Sequence, residues 1–304
     1  MKGTLWCLHG AVGQAGDWQG FGVPEWGVRR VDLWRFLDCC PMTMPEFGRA
    51  LNAEAAGAAD GRWQMVDGRW KAPGPRDGSS VAGVDGRWQM ADGGSEPEMP
   101  DPSLRDLPST IYHPPPVLRS LGEGGSTITR RVLVGYSMGA RLALHALLDG
   151  GPWDAVVLVA PHPGLESELE RAARRESDAE WAGRALTGDW REFLTLWNAQ
   201  AVLADSGRLP SVSDLRRREV ARIFMDWSLG AQEPLWERLG EIQCPVLWCA
   251  GERDVKFRAL AERALPLLPR GELWVAPGAG HRVPWDAPEA FAAKVGEFLE
   301  RVRS

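Results

Sequence analysis

From residue 127 onward, short runs of apolar and β-branched residues alternate with segments of helical period. Arg131-Val-Leu-Val-Gly135, Ala155-Val-Val-Leu-Val159, Pro245-Val-Leu-Trp-Cys249 and Glu272-Leu-Trp-Val275 read as strands, while Met138 to Leu148, the region around Phe257 to Leu265, and Pro288 to Val302 read as helices. Such alternation predicts an α/β fold: a mostly parallel sheet with helices on both faces. A mainly helical stretch, 165–239, interrupts the pattern after the strand ending at Val159 and reads as a helical cap. Residues 3–56 supply the missing start, with Thr4-Leu-Trp-Cys-Leu8 and Val28-Arg-Arg-Val-Asp32 as strands, His9-Gly-Ala-Val-Gly13 as a glycine-rich loop, and a helical pattern from about Pro45 to Ala56.

Residues 57–126 break this order. Twelve Gly and nine Pro fall among these 70 positions, and the charges follow no helical or strand period, which is the composition of a surface loop or disordered insert. Within it Asp-Gly-Arg-Trp recurs at Asp60, Asp67 and Asp85 at unequal spacing, so it is no solenoid repeat. A long surface loop costs little closure entropy. The whole chain of 304 residues is therefore expected to form a single domain carrying this insert, which enters the strand Arg131-Val-Leu-Val-Gly135 from its N-terminal end and so does not gate a pocket at the opposite edge.

A net charge of −6 gives no footprint for gripping phosphate backbones, so nucleic acid is not an expected partner. The sequence has no run of about 18 apolar residues, and Met1-Lys-Gly-Thr-Leu-Trp-Cys7 leads into a strand rather than a signal-peptide core. No membrane association and a cytoplasmic location are the expectation. The five cysteines show no metal-ligand spacing, Cys39-Cys40 being adjacent, and neither a metal nor a cofactor is called for. The 16 Trp residues and the preference for Arg over Lys are what GC-rich coding produces, and Trp6, Trp248 and Trp274 fall in strands as core filling.

Chemistry concentrates at Gly135-Tyr-Ser-Met-Gly139, a G-x-S-x-G sequence between a strand and a helix. A sharp elbow there would expose the Ser137 hydroxyl above the sheet. A free hydroxyl is too weak a base or nucleophile without an imidazole and an orienting carboxylate. Asp254 follows one strand and His281 the next, so Ser, Asp and His each stand just past a strand's C-terminal end, in the chain order of α/β-hydrolases. Asp254 also stands where a helix cap belongs, and Glu252 is a second acid two residues before it. Ala11, after the first strand, and Met138, after the serine, are the expected backbone N–H donors of an oxyanion hole. His9 reads as structural.

Leu8-His-Gly-Ala-Val-Gly13 with Asp17-Trp18, Gly135-Tyr-Ser-Met-Gly-Ala-Arg-Leu-Ala-Leu144, His162-Pro-Gly-Leu165 and Gly251-Glu-Arg-Asp-Val-Lys-Phe257 together resemble the MenH family over about 1–56 and 127–304. Its members are 2-succinyl-6-hydroxy-2,4-cyclohexadiene-1-carboxylate synthases of menaquinone biosynthesis. The resemblance implies an α/β-hydrolase fold and a lyase that eliminates pyruvate from 2-succinyl-5-enolpyruvyl-6-hydroxy-3-cyclohexene-1-carboxylate. Ser137, with His281 and Asp254, would act as general base and the oxyanion hole would hold an enolate. It also implies a small anionic substrate with several carboxylates, contacted by Arg141, Arg174, Trp197 and Tyr136; Arg171 is an alternative to Arg174. A third arginine is sought among Arg216, Arg217, Arg218 and Arg222.

The chain departs from the family at Asp32-Leu-Trp-Arg-Phe-Leu-Asp38, which lacks the usual glycines and histidine, and at Ala140, which replaces a glycine. Two other functions remain open on the residues alone. One is a generic serine esterase or C–C bond hydrolase using the same triad. The other is a non-catalytic binding protein that uses the Arg-Trp repeats as its contact surface.

Overall fold

The computed structural model describes residues 1–37, 41–57, 64–66, 69–71, 130–204, 206 and 212–302. Six strands form one parallel sheet: β1 (Gly3–Leu8), β2 (Trp26–Arg30), β5 (Arg130–Tyr136), β6 (Ala155–Val159), β7 (Val246–Gly251) and β8 (Gly271–Ala276), in the order β2-β1-β5-β6-β7-β8. Two further strands, β3 (Gln64–Val66) and β4 (Arg69–Lys71), pair antiparallel within the insert, with Val66 opposite Arg69. This ladder spans the second Asp-Gly-Arg-Trp unit; Asp-Gly between short strands is a hairpin signal that the surrounding Gly/Pro composition obscures. The rest of the insert, Cys39 and Cys40 lie outside the described residues, as does the expectation that the insert leaves the pocket ungated.

The sheet is covered on both faces because its strands alternate apolar side chains to each. Trp6, Leu8 and Leu133 join one buried cluster, with α1 (Met44–Ala55) and α2 (Met138–Leu148). Leu5, Cys7, Val132 and Val134 join the other, with α7 (Val283–Asp286) and α8 (Pro288–Arg301). Trp6 and Trp248 are core residues, while Trp274 is only partly buried. The divergent segment after β2 forms a short 3-10 turn, Trp34–Phe36, in which Trp34 and Phe36 are buried. The Trp34 ring stands 5.1 Å from His9, so apolar packing occupies this wall where the family's glycines and histidine are missing.

Between β6 and β7 rises the cap, made of α3 (Glu168–Thr187), α4 (Trp190–Asn198) and α5 (Arg217–Asp226). Trp181, Phe193, Trp197 and Phe224 interlock in it at centroid distances of 5.1 to 6.5 Å. The Trp227 indole N–H donates to Met42 O at 2.8 Å and ties the end of α5 to the segment entering α1. After β7, α6 (Val255–Ala264) completes the frame. Every loop at the C-terminal edge of β1, β5, β6, β7 and β8 thus faces one crevice under the cap, where open α/β sheets bind ligands.

Candidate active site

Ser137 sits between β5 and α2 with φ 52° and ψ −111°, a left-handed backbone that a serine adopts only when its surroundings enforce it. Its N–H donates to Val159 O at 2.8 Å, which pins the elbow to β6. Gly139 permits the next step: a Cβ there would stand 2.5 Å from both Leu8 O and His9 O. Without one, the start of α2 lies against the end of β1, and Met138 and Ala11 come to line one cavity with Ser137. Met138 is the first residue of α2, so its N–H has no partner within the helix. Val12, beside Ala11, also has a positive φ of 51°.

The Ser137 hydroxyl donates to His281 Nε2 at 3.1 Å, and His281 Nδ1–H donates to Asp254 Oδ2 at 2.7 Å. The carboxylate holds the proton on Nδ1, leaving Nε2 free to take the serine's. Asp254 does both things its position allows, since its Oδ1 also accepts from Phe257 N at 3.4 Å and caps α6. Glu252 is occupied elsewhere, accepting the Gly278 N–H at 2.8 Å. Gly251 lets the histidine loop close over β7, where a Cβ would meet Gly280 O at 2.0 Å. The rings of Tyr136 and Phe257 flank His281 at centroid distances of 5.5 and 4.4 Å.

Two cavities meet at Ser137. The larger, about 240 Å³, carries Arg141, Arg174 and Lys256 in its lining, with Asp178 as the only acid there among the described residues. The smaller, about 50 Å³, is lined by Tyr136, Arg282, Asp17 and Trp285 among others. Trp197 and Ala11 belong to both. Tyr136 is therefore beside the serine but in the smaller cavity, its hydroxyl hydrogen-bonded to Arg282, with burial pushing its pKa up.

Arg141, one turn into α2, is 7% exposed. Its guanidinium donates to Trp227 O at 2.8 Å and Gln232 Oε1 at 3.1 Å, both neutral acceptors. Burial, then the nearby Arg174 charge, lower its pKa to about 9, which leaves it a cation at neutral pH. Arg174 pairs with Asp178 at 2.8 Å, and Asp178 is held in turn by the Ser228 hydroxyl at 2.7 Å. Arg171 pairs with Glu168 and Glu233 instead. Arg216 pairs with Glu219, Arg217 donates to Ala185 O and Gly188 O, and Arg222 pairs with Asp226. None of these lines the larger cavity.

The third cation is Lys256, which sequence reasoning quoted inside a motif without giving it a role. Its signal was available: two residues after a strand-end aspartate, on the first turn of a helix that starts at the site. His162 stands in the His162-Pro-Gly-Leu165 motif with no role assigned from sequence, and Gln232, which bridges Arg141 and His162 O, was missed because nothing in the local sequence marks a polar loop residue that holds two site groups. Among the described residues no group of three or more His, Cys, Asp or Glu could hold a metal ion, and no helix is long and apolar enough to cross a membrane.

Residues 7–294 match the family model described as "Alpha/beta hydrolase family". Relatives named 2-succinyl-6-hydroxy-2,4-cyclohexadiene-1-carboxylate synthase are 34% identical over 175 residues in Citrobacter koseri and 34% identical over 181 residues in Pectobacterium atrosepticum. The chain belongs to the MenH family of α/β-hydrolases. The matched segments take in 55% and 57% of this chain and 67% and 69% of those relatives; a Bacillus subtilis relative is covered over 66% of its length. In three dimensions the chain is similar to MenH from S. aureus, with a TM-score of 0.67 at 18% identity, covering 100% of this chain and 96% of that one. A thermophilic esterase from Thermogutta terrifontis shares the fold at a TM-score of 0.56 and 15% identity, covering 99% and 91%. At such identities these two likenesses speak for the α/β-hydrolase fold, which MenH proteins share with esterases.

Proposed function

We propose that this MenH-family protein is a 2-succinyl-6-hydroxy-2,4-cyclohexadiene-1-carboxylate synthase, a carbon–oxygen lyase that releases pyruvate from an enolpyruvyl precursor. The observation that carries the reading is Arg141: a buried cation one turn from the serine whose hydrogen-bond partners among the described residues are all neutral, in a cavity that also holds Arg174 and Lys256. A fixed charge in that position suits a substrate that brings its own carboxylates.

The triad would work as a proton relay. Ser137, its proton drawn to His281 Nε2, removes a proton from the carbon beside the succinyl carbonyl. The electron pair moves onto the carbonyl oxygen, where the N–H groups of Ala11 and Met138 hold the developing charge. When that pair returns, a C=C bond forms from the deprotonated carbon into the ring, the ring double bond shifts by one position, and the ring C–O bond to the enolpyruvyl group breaks, so that the group leaves as the enolate of pyruvate, which takes up a proton. The scheme requires no redox step. Trp197, spanning both cavities, and Tyr136, beside the serine, would wall the reacting ring.

An esterase would use the same triad, but three cations against one acid among the described lining residues suit a neutral ester poorly. A purely binding role leaves the aligned Ser137, His281 and Asp254 without a purpose. Incubation with the enolpyruvyl substrate tests the reading: pyruvate release well above the background rate is expected. Folded protein that releases none, while turning over simple aryl esters, would replace the lyase with a hydrolase.

A further inference from the structure

His162 follows β6 in the segment Ala160-Pro-His-Pro-Gly164 and lines the larger cavity together with Arg141, Arg174 and Lys256. Its Nδ1 accepts the Gly164 N–H at 3.1 Å. A backbone amide only donates, so Nδ1 carries no proton, and the neutral ring must carry it on Nε2. No protein group among the described residues partners Nε2, and the residue, 7% exposed, lines the larger cavity.

The segment is held rigidly. Gln232 Nε2 donates to His162 O at 3.1 Å while its Oε1 accepts from Arg141, so one side chain sets both groups. Leu235 N donates to Pro163 O at 2.7 Å, and the Trp236 indole N–H donates to Gly164 O at 3.0 Å. Gly164, at φ 123°, lies so close to Pro234 that a Cβ would meet its Cα at 2.7 Å.

The charges around the ring agree with a neutral state. Lys256 and Arg263 from α6, Arg141 from α2 and Arg174 from α3 act on it, and with burial as the leading cause its pKa falls to about 3. Of the acids nearby, Glu166 is engaged by both terminal guanidinium nitrogens of Arg263, and Asp178, in the same cavity, by Arg174.

We propose that His162 is a substrate-binding residue, a permanently neutral donor whose Nε2–H hydrogen-bonds a carboxylate oxygen of the anionic substrate beside Arg141 and Lys256. The assignment rests on the lyase reading for the identity of that substrate. The Phe257 ring stands 6.3 Å from the His162 ring and 4.4 Å from the His281 ring, centroid to centroid, and among the described residues no hydrogen bond joins His162 to the triad. His162 therefore acts on binding rather than on the proton in flight. A protonated imidazole would add charge; a neutral one adds direction, telling a carboxylate oriented toward it from one turned away.

The test uses the full chain with isotope-labelled histidine, His162 being assigned by the signal lost in His162→Gln. The Nε2–H tautomer is expected with no titration between pH 5 and 8, and its resonance should move when Ser137→Ala protein is saturated with the enolpyruvyl substrate. An Nδ1–H tautomer, or titration near pH 6.5, would overturn the proposal. In kinetics, His162→Leu should lose on the order of 10- to 100-fold in kcat/KM, carried by KM. His162→Gln, which keeps a donor at the same reach, should recover most of it, whereas a role in packing alone would show no such recovery. A His162→Leu value within twofold of wild type would overturn the assignment even if pyruvate is released normally. Should the wild type release no pyruvate, the lyase reading falls, and sodium succinate replaces the substrate as probe. A succinate-dependent shift at Nε2 would then uphold His162 as a carboxylate donor, and its absence would overturn it.

Discussion

Arg141→Met separates what the arginine does for the empty protein from what it does for substrate. Methionine keeps much of the stem's volume and removes the charge. In the empty protein, the fall of the guanidinium pKa from its usual 12.5 to about 9 corresponds to a cost on the order of 5 kcal/mol for keeping a cation there. Removing it relieves that cost but strands Trp227 O and Gln232 Oε1, at about 1–3 kcal/mol each. The two effects nearly cancel, so the melting temperature should move by only a few degrees. Binding has no such compensation. A substrate carboxylate that loses a buried, charge-assisted partner forfeits about 2–4 kcal/mol, or roughly 30- to 1,000-fold in kcat/KM. The assay couples pyruvate to lactate dehydrogenase and follows NADH, alongside a thermal scan of the same preparation. A variant with kcat/KM within threefold of wild type would show that no carboxylate is held there. One that melts more than about 10 °C lower would show the arginine to be structural.

Three further outcomes follow from the same geometry. Asp254→Asn should still cap α6 through its amide oxygen, leaving the melting temperature within a few degrees, yet lower kcat about 10³- to 10⁴-fold by releasing His281 from its tautomer; a loss under tenfold would mean another group orients the ring. Gly139→Ala places a methyl 2.5 Å from Leu8 O and His9 O and should cost about 1–3 kcal/mol in urea unfolding, with activity falling as Met138 shifts; an unchanged midpoint would refute the close approach. Burial lowers the pKa of both His145 and His162 to about 3, so below pH 6.5 the unfolded chain binds protons that the folded one refuses, and stability drops by up to about 1.36 kcal/mol per pH unit for each. The melting temperature should therefore fall from pH 6.5 to 5, less steeply in His145→Leu, and a flat profile would contradict their neutrality.

The sheet and the triad were legible because both are written locally. Four strands have no polar alternation to confuse them with surface hairpins, and Ser137, Asp254 and His281 each stand one loop beyond such a strand. The binding groups were legible only in part. Arg141 and Arg174 came from resemblance, and the geometry puts both at the larger cavity. Arg216 and Arg217 looked equally cationic in sequence, yet on the cap they pair with Glu219 and with helix-end carbonyls. Lys256 lines the larger cavity because α6 begins at the site. Long side chains on helices declare their charge in sequence but not their direction, which depends on how α3, α5 and α6 pack.

Three of the four non-glycine residues with positive φ among the described residues, Val12, Ser137 and Ala160, line the two cavities that meet at the serine. Each holds a backbone conformation that glycine would adopt without strain, at a cost of about 1–3 kcal/mol apiece. Val12 and Ala160 are buried and would lose packing with the change, but a breeding programme that selected this protein for heat resistance alone would be drawn to glycine at Ser137. Its most durable descendants would be sterile ones, with an unstrained elbow and no serine on it.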